Sequence, residues 1–296
     1  MPKIHHLNCG TMCPVARRLV NGDGGLLGIG EMICHCLLIE TERDGLILVD
    51  SGYGTDDLAH QERFEAAFRH LVRPTFRAAE TAVAQVRALG FAPEDVQNIV
   101  LTHLDLDHAG GISDFPKAKV HVHEVEYRAA MARATLLERH RYFPAHWAHQ
   151  PSWVLHSDQG DHWFGLRGLK LLPEIGVDVA LVPLFGHTRG HSGVAVRAGL
   201  SGSRAGEAGP TRADGGPSPT GDWLLHGGDS YFYHGQLEQP PRCPLALTLF
   251  QKIVEVDARA RRENTERLRD LHRRHPGEVQ IFSAHDPIEL ARMRGH

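Results

Sequence analysis

The chain has 296 residues, of which 42% are hydrophobic and 23% are charged, and its net charge at pH 7 is -4. This composition is that of a globular protein and excludes a disordered or collagen-like chain. The slightly acidic balance gives no electrostatic basis for binding nucleic acid or an anionic membrane. The 22 histidines greatly outnumber the five cysteines, which favours a metal site built from imidazole and carboxylate groups over a cysteine-rich zinc module.

The start of the chain lacks the long apolar segment of a secretory signal, and no stretch approaches the ~18 apolar residues of a membrane span. An odd number of cysteines at irregular spacing is typical of reduced thiols. Cys34 and Cys36 lie in an apolar run, Met32–Glu40, so we expect them to pack in the core. These features predict a cytoplasmic protein with no membrane partner.

The first hundred residues predict strands followed by a helix. Apolar runs at 32–40 and 46–50 predict two strands joined by a turn at 43–45. Apolar residues between 79 and 89 fall on one helical face, and Gly90 stands where a C-terminal cap is expected.

Four predicted strands lead into loops that contain a histidine or an aspartate. The strands at 98–102, 179–184, 223–226 and 278–282 lead into His103, His187, Asp229 and His285, in that order. A rigid sheet that holds loops at its strand ends is a common way to present metal ligands.

The rest of the chain adds a strand at 194–197 and helical patterns at 245–260 and 265–274. The segment 199–221 is rich in glycine and proline and poor in large apolar residues. It predicts a flexible connection within a single domain spanning 1–296, with a linker between two domains as the alternative. The segment 139–164 contains six aromatic residues, which either pack a connecting region against the sheets or line a substrate pocket.

The strongest chemical signal is a run of four potential metal ligands in the spacing H-x-D-x-D-H. It consists of His103, Asp105, Asp107 and His108. In an extended chain or tight loop, alternate side chains project to the same side, so we expect the first three to converge and His108 to join them from the following turn. Buried charges are costly unless they are paired or bound to metal, so this run predicts a metal site.

The run resembles the H-x-H-x-D-H signature of the metallo-β-lactamase superfamily. Four other motifs stand in the order that the family has. Residues 49–52 resemble its V-D-x-G motif, 186–192 its G-H-T-x-G-H-S loop, 227–229 its bridging aspartate and 284–286 its terminal histidine. The resemblance implies an α+β fold, a four-layer αβ/βα sandwich, with two divalent metal ions held between the edges of its sheets.

The resemblance also implies a role for each ligand. His103, Asp105 and His187 would hold one metal ion, Asp107, His108 and His285 the second, and Asp229 would bridge the two. Two such ions share a hydroxide that is a strong nucleophile at neutral pH, and Asp107 would also act catalytically by orienting the metal-bound water.

Several neighbouring residues are expected to support this site or the fold. Asp50 would fix a ligand imidazole through its second nitrogen. His226, which precedes the bridging aspartate, is either a similar supporting residue or a satisfied strand histidine. We expect His191 to be structural, and we expect His121 and His123 to lie on a strand with one solvated face.

Asp105 departs from the family, which usually has histidine at this position. Three aspartates and a hydroxide would balance two divalent ions, and oxygen-rich sites shift preference from zinc towards iron or manganese. We expect zinc, with iron or manganese as alternatives because of Asp105. We also expect Asp105→His to rebuild a site that prefers zinc. In the other interpretation, Asp105 points away from the metals and caps the following turn.

The layout is similar to that of the quorum-quenching lactonase branch, which implies a hydrolase of a carbonyl ester, a lactone or similar acyl ester. In that branch a tyrosine just after the bridging aspartate assists the substrate carbonyl. Tyr231 is our catalytic candidate for this role, although it and Tyr233 lie two and four residues past Asp229; each is alternatively a core aromatic.

Three alternative functions remain open at this point. A thioester or phosphodiester hydrolase would share the metal site and differ in its pocket. A diiron redox or oxygen-handling protein is suggested by Asp105, since the oxygen-reducing branch of the superfamily also has a carboxylate there; that branch, however, carries a flavodoxin domain for which we expect no room after His285. A non-catalytic metal-binding scaffold is the third.

Overall fold

The computed structural model describes residues 2–41, 45–157, 162–167, 169–171, 178–198 and 223–295. The predicted connection at 199–221 and all but the last residue of the predicted turn at 43–45 lie outside these ranges.

The strands are β1 Lys3–Met12, β2 Met32–Glu40, β3 Leu46–Val49, β4 Val96–Val100, β5 Lys119–His123, β6 Ser152–His156, β7 His162–Trp163, β8 Leu166–Arg167, β9 Leu169–Leu171, β10 Val179–Pro183, β11 Ser192–Arg197, β12 Trp223–His226 and β13 Val279–Phe282. The α-helices are α1 Arg17–Val20, α2 Thr55–Ala59, α3 Ala66–Leu71, α4 Ala82–Ala88, α5 Leu106–Ala109, α6 Glu124–Ala132, α7 Leu136–Arg141, α8 Leu245–Val254, α9 Ala258–Arg274 and α10 Pro287–Arg294. In the described residues, none of these helices combines the length and apolarity needed to span a membrane.

The strands form two mixed sheets and a small hairpin. The first sheet has the order β1-β2-β3-β4-β5-β6, the second β13-β12-β11-β10-β9, and β7 pairs with β8. In the first sheet β3 and β4 are parallel. In the second, β12 and β13 are parallel, and β10 runs in the same direction as β12 because both are antiparallel to β11.

Strand β2 contributes to two core layers. Leu37 and Ile39 pack between the two sheets, together with residues of β10, β11 and β12. Cys36 and Leu38 belong to the core on the opposite face, since successive side chains of a strand alternate. A strand buried on both faces reads as a continuous apolar run, and the burial of Cys34 and Cys36 confirms the predicted packing role.

Helices cover the outer face of each sheet. Val83 and Val86 of α4 pack on the first sheet, and Leu268 and Leu271 of α9 pack on the second. The layers therefore follow the order helix, sheet, sheet, helix, which confirms the predicted α+β sandwich.

Two local predictions differ from the structure, and one strand was missed. The helix predicted over 245–260 is interrupted, because the Asp257 carboxylate accepts hydrogen bonds from the backbone of Arg259 and Ala260 and starts α9 there. β1 was not predicted, since its polar residues break the apolar alternation. The solvated face predicted for β5 is wrong, because both His121 and His123 are buried.

Candidate metal centre

The H-x-D-x-D-H run follows β4 and enters a helix within three residues. His103 lies three residues after the end of β4. Asp105 precedes the first residue of α5, so Asp107 and His108 lie in the first turn of that helix. The predicted alternation through Asp107 is therefore wrong: the backbone is helical from Leu106 onward, and the ligands converge through a helical turn.

The loops that carry the remaining predicted ligands open at one edge of the second sheet. His187, Asp229 and His285 follow β10, β12 and β13, which run in the same direction. Strands of one sheet that run in the same direction end at the same edge, so the loops that follow them lie together. This topology explains how residues separated by about a hundred positions meet.

Six of the predicted ligands form two groups of three. In each group, potential ligand atoms lie within 4.8 Å of one another. The groups are His103, His187 and Asp229, and Asp107, His108 and His285. Asp229 adjoins both groups, because its Oδ2 lies 3.3 Å from His187 Nε2 and its Oδ1 lies 3.3 Å from His108 Nε2.

Asp105 lies beside the first group. Its Oδ2 is 3.0 Å from Nε2 of His187 and 3.4 Å from Nε2 of His103. Asp105 is also the residue that caps α5, but its side chain makes no capping hydrogen bond. Its carboxylate thus faces the imidazoles rather than the following turn.

The donor set fits divalent metal ions. Nε2 of His103, Nε2 of His108 and Oδ1 of Asp229 are buried and have no hydrogen-bond partner in the described residues. Such atoms are costly in a protein interior unless something binds them, and imidazole nitrogens with carboxylate oxygens are typical ligands of zinc. Burial opposes ionisation of Asp229, but the His285 and His108 rings outweigh it and keep the pKa of the carboxyl well below its usual range.

Asp50 fixes the orientation of His108. Its Oδ2 lies 2.8 Å from His108 Nδ1, and its oxygens accept hydrogen bonds from the backbone N–H and the hydroxyl of Thr102. With Nδ1 engaged in this way, Nε2 of His108 is turned towards Asp229. This is the position in which the sequence predicted a supporting carboxylate.

His191 and His226 hold the backbone beside Asp229. Nε2 of His191 accepts a hydrogen bond from the Asp229 N–H, and Nδ1 of His226 accepts one from the Gly228 N–H. Gly228 has φ +52°, and a Cβ at this position would lie 2.5 Å from His191 Nε2. Nε2 of His226 donates to the carbonyl of His35. In the described residues, both ring nitrogens of His226 contact backbone and neither contacts a ligand ring, as expected of a satisfied strand histidine.

Glu126 is a residue that the sequence analysis missed. Its Oε1 accepts hydrogen bonds from the Leu104 N–H and the Tyr142 hydroxyl. Its Oε2 accepts hydrogen bonds from the Thr188 hydroxyl and the Gly190 N–H. This fully buried carboxylate therefore ties the loop of His103 to the loop of His187.

Arg141, the last residue of α7, was missed as well. It is buried, and its Nε lies 3.2 Å from Oδ1 of Asp105. Burial opposes ionisation of Asp105, but the Arg141 guanidinium and the His103 ring outweigh it and keep the pKa of the carboxyl well below its usual range. No motif marks Arg141 or Glu126, because each meets the site only through tertiary packing.

The structure contradicts the assignment of Tyr231 to carbonyl assistance. The side chain is fully buried, and its hydroxyl donates to the carboxyl group of Glu289 at 3.1 Å. It is a core aromatic. Tyr233, by contrast, is half-buried and lines a cavity beside His285.

The burial of Glu289 predicts a pH effect on stability. Burial raises the pKa of Glu289 from 4.5 to about 8. The folded state therefore favours the protonated acid. The contribution of Glu289 to the free energy of unfolding is fully present below about pH 4.5 and is lost as the pH rises through about 8. We expect Glu289→Gln to gain about 1 kcal/mol relative to the parent for each pH unit between about pH 5 and 8. Urea unfolding of both proteins at three pH values measures this; parallel profiles would contradict it.

A small cavity, partly open to solvent, lies beside His285. Its apolar lining comes from Val20, Met32, Phe232, Leu247 and Ile288. Polar groups of Asn21, Glu31 and Asp286 also line it.

The aromatic residues of 139–164 pack in two separate places. Phe143 stacks on Phe64 on the helical side of the first sheet. Trp163 packs edge-to-face on Trp223 beneath the second. Among the described residues, none of these aromatics lines the cavity beside His285, which favours the packing interpretation.

The layers and the cluster of imidazole and carboxylate groups define a metal-binding αβ/βα sandwich. The family model of the metallo-beta-lactamase superfamily matches residues 29–277. The chain belongs to that superfamily, which confirms the resemblance of the motifs.

Individual relatives refine the comparison. A probable metallo-hydrolase of Mycobacterium tuberculosis is 41% identical over 292 residues, which are 98% of this chain and 83% of that protein. An N-acyl homoserine lactonase of Bacillus cereus is 32% identical over 130 residues, 43% of this chain and 50% of that protein.

Solved structures show the same fold. An N-acyl homoserine lactone hydrolase, with the product N-hexanoyl-L-homoserine at its catalytic metal centre, superposes with a TM-score of 0.67 at 20% identity, covering 99% of this chain and 96% of that one. A dizinc quorum-quenching lactonase superposes with a TM-score of 0.58 at 14% identity, covering 97% and 88%.

Proposed function

We propose that the chain is a hydrolase of carbonyl esters that uses two divalent metal ions, zinc first among them, and that its substrates are lactones or similar acyl esters. The observation that carries the proposal is the pair of three-residue groups with Asp229 in contact with both. The relatives that are lactonases, and the structures with an acyl homoserine product at the metal centre, support the substrate class.

Each proposed ligand has a defined part. His103, Asp105 and His187 would hold one ion, Asp107, His108 and His285 the other, with Asp229 between them. When bound, the ions would activate water and polarise the substrate carbonyl.

Asp107 would take the proton from water. Its oxygens lie 3.7 Å from His285 Nε2 and 4.0 Å from His108 Nε2, and it is not committed to a hydrogen bond in the described residues. A carboxylate so placed can orient a water molecule and accept its proton.

The remaining residues orient the ligands and the substrate. Asp50 and the carbonyl of Ile33 engage Nδ1 of His108 and His285, so that each ring presents Nε2. The phenol of Tyr233 lines the small cavity beside His285, so it would lie near a substrate bound at the second group.

Metal analysis and a substrate panel test the proposal. We expect protein purified without added metal to contain close to two equivalents of zinc and to hydrolyse lactones faster than linear esters, thioesters or phosphodiesters. Chelation should abolish turnover, and zinc should restore it. Protein that holds no divalent metal, or that hydrolyses none of these substrates with its metals bound, would refute the proposal.

The carboxylate of Asp105 keeps the redox alternative in the test. Bound iron with an absorption band of its oxidised state would favour a diiron redox protein. Colourless protein with zinc or manganese would favour hydrolysis. Preference for a thioester or a phosphodiester would keep the metal chemistry and change the substrate class.

A further inference from the structure

A buried arginine stands against the first ligand group. The Arg141 guanidinium donates through Nη1 to the carbonyl of His187 at 2.8 Å and through Nη2 to the carbonyl of Val254. Its Nε lies 3.2 Å from Asp105 Oδ1. One side chain therefore contacts both a proposed ligand and the backbone of another.

The two oxygens of Asp105 face different cations. Oδ1 faces Arg141, whereas Oδ2 faces the ring nitrogens of His103 and His187, where the first metal ion would lie. The Arg141 contact is an ion pair and not a hydrogen bond, since neither Asp105 Oδ1 nor Arg141 Nε has a hydrogen-bond partner in the described residues. Arg141 therefore supplies a positive charge beside Asp105, and Oδ2 is the oxygen closer to the ligand rings.

The charge of the pair explains why a cation is tolerated beside a cation site. Aspartate at this position brings one more negative charge than histidine would, and Arg141 brings one positive charge. The pair is therefore neutral, as an imidazole is, and the net charge around the two metals equals that of a site with histidine at 105. The count of a neutral centre from sequence alone omitted Arg141.

We propose that Arg141 is a positioning residue whose positive charge balances the carboxylate of Asp105, and that Asp105 and Arg141 together replace one neutral histidine ligand. This inference rests on the proposed two-metal site. It also reverses an expectation from the sequence. Asp105→His alone removes the carboxylate that balances the buried Arg141 charge beside a dication, so it should weaken zinc binding rather than improve it.

A double-mutant cycle read by zinc binding tests the pairing. The proteins are the parent, Asp105→His, Arg141→Gln and the double variant, each titrated with zinc in competition with a chelator after metal removal. We expect Asp105→His to bind zinc in the first group at least about tenfold more weakly than the parent. The double variant should recover two equivalents and bind within about threefold of the parent, because the like charge is gone and the imidazole remains.

Two matched controls separate charge from structure. Asp105→His/Arg141→Lys keeps the positive charge, so its zinc binding should stay as weak as that of Asp105→His. Asp105→His/Arg189→Gln removes a different arginine, which lies on the same loop as His187 and pairs with Glu138. This variant should also bind zinc weakly. An Arg141 with only a structural role would lower zinc binding on replacement whatever residue stands at 105, so rescue by Gln distinguishes the two roles.

Several results would overturn the inference. These are parent-like zinc binding by Asp105→His, a double variant no better than Asp105→His, or equal rescue by the Arg189 change. The first of them needs no Arg141 variant, so the test stands even if Arg141→Gln does not fold. A parent that binds no zinc would contradict the proposed function itself, whereas two equivalents without rescue would contradict only the role of Arg141.

Discussion

Replacing Asp107 by alanine should lower kcat/KM for ester hydrolysis by about a thousandfold or more, since the change removes both a proposed metal ligand and the carboxylate placed to accept a proton from water. The fold should persist, because Asp107 is partly exposed and supports no hydrogen bond in the described residues. Turnover, zinc content and circular dichroism should be measured on the same preparation.

A second substitution and a control sharpen this test. Asp107→Asn preserves the shape of the side chain and removes its basicity, so it should retain more zinc than Asp107→Ala while remaining nearly inactive. Asp270→Ala, which breaks an exposed ion pair with Arg273 on α9, should leave turnover unchanged. Substantial hydrolysis by a folded Asp107→Ala protein would remove Asp107 from the proposed site.

The sequence was most informative where ligands follow strands. His103, Asp229 and His285 each lie three residues beyond a strand end. Short apolar runs reveal such strands, and a polar residue of ligand type a few positions after one is visible in a single sequence. The order of the motifs then gave the fold.

The sequence was least informative where a side chain reaches the site through tertiary packing. Glu126 lies in a helix whose alternation of charged and apolar residues resembles an exposed surface, yet it is fully buried. Arg141 ends a short helix among aromatic residues that drew the interpretation towards a pocket. The prediction for Tyr231 was wrong in the opposite direction, because it placed a core residue in the site. Proximity in sequence to Asp229 does not determine where the Tyr231 hydroxyl points.

The boundary between α8 and α9 shows the same limit on a smaller scale. The apolar period continues across 255–257, so periodicity alone predicts one helix. The break depends on the Asp257 carboxylate, which binds the N–H groups of the next turn. Capping competes with helix continuation, and the sequence does not show which of them prevails.

Glu126→Gln should be the most destabilising isosteric change near the site, at about 2–5 kcal/mol, because four donors point at two carboxylate oxygens and an amide replaces one of those acceptors with a donor. The loops of His103 and His187 would then lose their common anchor, and zinc affinity should fall even where the protein remains folded.

The neighbouring helix position offers a matched control for Glu126→Gln. Glu124 belongs to the same helix and pairs with Arg128 at the surface, so Glu124→Gln should change stability by less than about 0.5 kcal/mol and leave zinc affinity intact. Urea unfolding of the metal-free proteins and chelator competition with zinc give the two quantities separately. Equal effects of the two substitutions would mean that Glu126 does not hold the ligand loops together. A large loss of stability with unchanged zinc affinity in the folded protein would mean that the loops keep their geometry without it, since a ligand set fixed by the sheet edges alone does not need the carboxylate.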